Sequence, residues 1–195
     1  MMIAMVFSTP KAMGQPFEKG SDDSPFFEDI PADLKNQIAS GIPNEAPAVP
    51  KKKRKLLVFN LHVNKEREPL KGHNSIPYAN YAFYLMGKNT GAWETYFSND
   101  TLVFMPETLN QFDAVCFNNT AGVLFDDPVL RQSLLDYVYS GKGFAGIHAA
   151  GATFVQWPVY DQFPEFGRML GGYESGGHPW RDYEWITLDV AEPEH

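Results

Sequence analysis

The order of apolar runs and helix signals predicts a doubly wound α/β domain, with a mostly parallel sheet covered by helices on both faces. Three observations predict it. Residues 56–61, 112–117 and 143–147 are short continuous apolar runs, the pattern of strands buried on both sides. Helical patterns with recognisable starts and stops lie between them. Polar residues follow each run directly, and the carboxyl ends of parallel strands are where such sheets bind ligands.

Taken in order, the first run is Leu56-Leu57-Val58-Phe59-Asn60-Leu61, followed by a polar loop. A helix is expected from about residue 76 to 86, with Tyr78, Ala82, Leu85 and Met86 at helical spacing, ended by the segment from Gly87 to Gly91. Residues 93–97 and 101–105 are short strand candidates around a polar turn. After the second run, Asp127 as N-cap and Pro128 at the first helical position open a helix with Leu130, Leu134 and Val138 on one face. Gly141 closes it, the third run follows, and a further strand is expected at 183–190.

The 195 residues carry a formal net charge of −8. Five of the basic residues form one run, Lys51-Lys52-Lys53-Arg54-Lys55, which matches a nuclear-localisation pattern but leads straight into the first core strand and reads as solvated charge. The remainder of the domain is strongly acidic and would repel a phosphate backbone, so nucleic acid is not an expected partner. No apolar stretch reaches the ~18 residues of a membrane span. The single cysteine, Cys116, lies inside the second apolar run and reads as a small buried hydrophobe.

Residues 1–14 resemble the end of a clipped signal peptide, apolar and then small and polar, although the basic start is missing. Cleaved, the protein would be periplasmic or secreted; otherwise it would be cytoplasmic. Residues 15–50 hold six of the 15 prolines. They read as an acidic linker or surface segment with one short helix between Pro31 and Gly41, contributing little to the sheet. Residues 51–195 form the domain proper.

The three strand ends deliver the candidate site residues: His62 and Asn64, then Asn118, Asn119 and Thr120, then His148. His148 sits in Gly146-Ile147-His148-Ala149-Ala150-Gly151, a small-residue turn that would display it as a nucleophile elbow displays its central residue. His73 precedes a helix, and His178 lies in the glycine-rich Gly176-Gly177-His178-Pro179-Trp180. Each of these histidines also has an inert reading, as a hydrogen-bonded structural group or a loop residue.

Four segments together resemble the trehalose-utilisation (ThuA-like) family. They are Gly72-His73-Asn74-Ser75-Ile76-Pro77, residues 112–119, residues 141–150, and the stretch from Met169 to Trp180. The resemblance covers residues 55–195 and implies a flavodoxin-like, class I glutamine-amidotransferase-like fold and a role in carbohydrate metabolism. Amidotransferases of this fold carry a cysteine at the elbow; here His148 stands there, which argues against thioester chemistry. Family domains also continue further, through a segment with an acidic motif, so the resemblance implies a domain shortened at its C-terminus.

Two functions follow. One is an enzyme acting on trehalose or a related or oxidised sugar, such as a hydrolase or lyase. It would use His73, His148 and His178 as acids or bases, or as ligands of a divalent metal. Asn118, Asn119, Tyr173 and Trp180 are the candidate substrate contacts, the aromatics stacking on a sugar ring. The other is a non-catalytic carbohydrate- or partner-binding module using the same edge.

Overall fold

The computed structural model describes residues 15–156, 159–174, 184–187 and 189–192. Its central sheet has five strands: β1 (Glu18–Lys19), β2 (Lys55–Phe59), β3 (Glu94–Ser98), β4 (Ala114–Asn118) and β5 (Gly143–Ile147), in the spatial order β1-β3-β2-β4-β5. The three apolar runs are neighbours and run parallel: Val58 pairs with Cys116 across β2 and β4, and Phe117 pairs with Gly146 across β4 and β5. β3 joins them in parallel, and only β1 is antiparallel. This is the expected α/β arrangement.

Because successive strand residues point to opposite faces, each strand feeds two cores. Leu57, Phe59, Val115 and Phe117 enter one cluster with Leu130 and Leu134 of α4 (Pro128–Tyr139) and Phe166 of α5 (Pro164–Leu170). Val58 and Phe97 enter the other, against Tyr78, Tyr81 and Tyr84 of α2 (Ile76–Thr90). The Asp127 side chain accepts from the Val129 N–H at 2.7 Å, the cap expected for α4.

Four details differ from the sequence reading. α2 runs through Gly87 to Thr90, because Gly87 serves packing rather than termination. A Cβ there would lie 2.7 Å from the Trp93 carbonyl oxygen and 2.8 Å from its indole nitrogen. Residues 101–104 form a 3₁₀ turn, not a strand, because the Asp100 carboxylate accepts from the Leu102 N–H at 2.9 Å and starts a helical turn, after which comes the short helix α3 (Pro106–Leu109). In the segment expected as a further strand, residues 184–187 and 189–190 lie outside any strand. Trp185 is 98% exposed there, so its burial does not fix the run as a strand. Finally, α5 and the hairpin of β6 (Val155–Gln156) with β7 (Val159–Asp161) were not expected.

The N-terminal segment is the largest correction. After β1 has paired with the β3 edge, Phe27 and Ile30 plug the core beneath α2, and Phe27 is 1% exposed. α1 (Ala32–Gly41) starts after Pro31 as expected and packs along α2. Covering the edge of β3 and one sheet face makes this segment structural rather than a surface wrap. The basic run is also partly structural. Asp113 takes Lys52 Nζ at 2.8 Å, Arg54 at 3.0 Å and the Lys55 N–H at 3.0 Å, tying the entry of β2 to that of β4.

Candidate functional site

Beyond their strands, the carboxyl ends of β2, β4 and β5 stay zipped together. The Ala121 N–H donates to the Leu61 carbonyl and the Val63 N–H to the Ala121 carbonyl, each at 3.1 Å. On the other side the Gly122 N–H donates to the Ala152 carbonyl at 3.1 Å and the Phe154 N–H to the Gly122 carbonyl at 2.8 Å. The Leu70 N–H donates to the His62 carbonyl at 2.7 Å, folding the following loop back so that Gly72 and His73 lie beside His62. The ladder thus brings two histidines of the loop between β2 and α2 to a third at the end of β5.

His148 is the first residue past β5, at φ 51°, in a 3₁₀ turn that spans His148–Ala152. A left-handed conformation is unusual for a residue with a Cβ and marks a turn that the surrounding structure holds in place. A Cβ at Gly146 would come within 2.8 Å of the Ala150 Cβ, so the turn closes this tightly only with small residues. The imidazole is displayed at the sheet edge. Its ring meets that of His73 edge to face, with centroids 4.7 Å apart and planes at 87°. The His62 and His73 ring centroids are 6.3 Å apart. The three imidazoles therefore gather at His73.

His62 is half-buried, and its Nδ1 is enclosed with no hydrogen-bond partner among the described residues. Burial, and secondarily the neighbouring His73, holds its pKa below the usual histidine value. Both effects favour its neutral form.

Asn118 and Asn119, expected to touch substrate, lie beneath the surface at 0% and 2% exposure. The Asn118 amide donates to the Ile76 carbonyl at 3.1 Å and to Asn80 Oδ1 at 2.9 Å. Asn119, itself at φ 55°, donates to Asn118 Oδ1 at 2.8 Å, and its Oδ1 lies 2.9 Å from His148 Nδ1. They support the site from below, because a polar side chain in a covered position must find protein partners. Asn80 and Asn60 belong to the same network and were missed; the signal for Asn80 was a single amide within the apolar stretch 76–87. Asn64 and Thr120 serve their own loops. Asn64 Oδ1 accepts from the Glu66 and Glu68 N–H groups, and Thr120 shares a 2.6 Å hydroxyl contact with Thr153.

Tyr173 is 41% exposed and packs against Gly167 of α5; its neighbour Glu174 donates its N–H to the Gly151 carbonyl at 2.8 Å, tying this segment to the His148 turn. His178, Trp180 and the proposed signal segment 1–14 lie outside the described residues. Cys116 is buried within β4, and burial pushes its thiol up to about 12, far from the reactive thiolate range. Among the described residues, no group of three or more His, Cys, Asp or Glu is disposed to hold a metal ion. Nor is any helix among them long and apolar enough to cross a membrane.

A family model described as "ThuA: Trehalose utilisation" matches residues 60–195, well over half of the chain. The chain belongs to the ThuA family. Among solved structures, a ThuA-like protein from Bacteroides uniformis is similar at 19% identity, covering 65% of this chain and 48% of that one, with a TM-score of 0.41. The chain thus spans about half the length of that protein. No curated protein matches. The ThuA match begins at Asn60, so the N-terminal segment that plugs the α2 face lies outside it.

Proposed function

We propose that this ThuA domain acts on a sugar or oxidised sugar by proton transfer, with His148 and His73 as the acid and base at the carboxyl edge of the sheet. The observation that supports it is the contact between these two rings, 4.7 Å apart, at the one place where three strand ends converge. Imidazole changes charge near neutral pH, so two in contact supply both a donor and an acceptor of protons to one bound molecule. A carbohydrate presents hydroxyl and carbonyl groups that need such transfer for elimination, hydration or hydrolysis. His73 and His148 are exposed at this edge, and Tyr173 offers an exposed aromatic face on the adjoining segment.

The chemistry proceeds without a covalent thioester, since the elbow holds His148 and the thiol of Cys116 is enclosed in β4. The protein should be incubated with a panel of disaccharides, their keto-oxidised forms and sugar acids. Product formation and heat of binding are measured in parallel. Turnover of at least one panel member is expected. Saturable binding of a sugar with no turnover favours a carbohydrate-binding module instead.

A further inference from the structure

The amides beneath the site are arranged with a single polarity, and two main-chain carbonyls fix it. A carbonyl oxygen only accepts, so Asn118 must turn its nitrogen towards the Ile76 carbonyl. Likewise Asn80 must turn its nitrogen towards the Phe26 carbonyl, 3.2 Å away, leaving its Oδ1 to accept from Asn118. The oxygen of Asn118 then faces Asn119, which must present its nitrogen there, at 2.8 Å. That leaves only the oxygen of Asn119 towards His148, 2.9 Å from Nδ1. An oxygen facing a ring nitrogen requires that nitrogen to carry the proton.

We propose that Asn119, oriented by Asn118 and Asn80, is a positioning residue that fixes His148 as its Nδ1–H tautomer and leaves Nε2 as the basic nitrogen. A neutral imidazole free in water favours the opposite form, so the protein reverses the intrinsic preference. The relay reaches the N-terminal segment, because the Phe26 carbonyl that orients Asn80 lies in the turn between β1 and α1, outside the ThuA match. What the tautomer does for catalysis rests on the acid–base reading of His148; the tautomer itself does not.

The burial of the network gives the arrangement its rigidity. Asn80, Asn118 and Asn119 are 1%, 0% and 2% exposed. Inverting any one amide would face two donors or two acceptors against each other with no water to relieve them. His148, by contrast, is exposed at the edge, so without Asn119 the aqueous preference for Nε2–H would return.

The test is a long-range ¹H–¹⁵N correlation spectrum of the histidine rings in the intact protein at about pH 8.5, where imidazoles are neutral. His148 is expected to show a protonated Nδ1 and a bare Nε2. In Asn119→Ala the signals should move towards the Nε2–H pattern, while the backbone spectrum stays folded. The wild-type spectrum decides the matter by itself if the alanine variant fails to fold. Nε2–H in the wild type, or no change in a folded Asn119→Ala, would overturn the proposal. The spectrum needs no turnover, so a missing sugar activity leaves it intact. An Nε2–H His148 in an active enzyme would sink the positioning role alone.

Discussion

His73 and His148 touch edge to face, with ring centroids 4.7 Å apart, although one precedes α2 and the other follows β5. The contact is made by the sheet. β2 and β5 flank β4 in parallel, and the ladder continues past all three into the loops that carry the imidazoles. Little in either loop alone would bring the rings together.

His62 makes stability depend on pH. Its folded-state pKa lies below the ordinary value of 6.5, first through burial and then through His73. The unfolded chain therefore binds the proton more readily. The stabilisation is fully present above pH ~6.5 and is lost as pH falls through the depressed folded value. Thermal unfolding followed from pH 8 to pH 5 should show Tm falling, and His62→Gln should flatten that fall. An unchanged slope in the variant would mean that another group carries it.

Asp113 works at the opposite end of the sheet and at lower pH. Burial pushes its carboxyl up, but Lys52, the Lys55 N–H and Arg54 together outweigh burial and hold it at about 2. Its stabilisation is present above the unfolded carboxyl value near 3.8 and disappears as pH falls through about 2. Asp113→Asn should lower Tm at pH 7, and the gap between variant and wild type should close as pH approaches 2. A gap that stays constant with pH would place the effect in packing rather than charge.

Phe27 tests the structural role of the N-terminal segment. Its ring is buried against Tyr84, Tyr81 and Phe97, with centroids between 5.3 and 5.8 Å. Phe27→Ala should cost about 3–5 kcal/mol in denaturant unfolding, the usual range for emptying a buried phenylalanine site. Cutting the chain near Val49 should be worse, because it also strips β1 from the β3 edge. A cut chain as stable as the whole would return the segment to the role of a surface wrap.

Much of the fold is legible in the sequence because strands buried on both faces must be continuously apolar. The runs at 56–61, 112–117 and 143–147 map onto β2, β4 and β5. β1 is not legible: two residues, Glu18 and Lys19, carry no periodicity, and Phe27 sits among prolines that suggest a linker. The turn at 101–104 reads as a strand because Leu102, Val103 and Phe104 are apolar and β-prone, while one carboxylate at Asp100 decides the outcome. At the site, the strand-end rule leads to His62 and His148, and the structure brings His73 beside them. It gives Asn118 and Asn119 no depth, since a polar residue after a strand looks the same in sequence whether it faces solvent or the core. Only the packing of α2 over β4, which buries Asn80 beside them, separates the two.

The histidine pair is proposed to perform the chemistry. The most direct measurement is steady-state turnover of the best panel sugar by wild type and His148→Ala, with Tm recorded for both. His148 lies exposed at the sheet edge and buries little apolar surface, so its removal should leave Tm within a few degrees. Turnover should fall by ~10²-fold or more, the scale of a lost general acid or base. Retention of wild-type turnover by a folded His148→Ala protein would contradict the account, as would a loss of activity that only tracks unfolding.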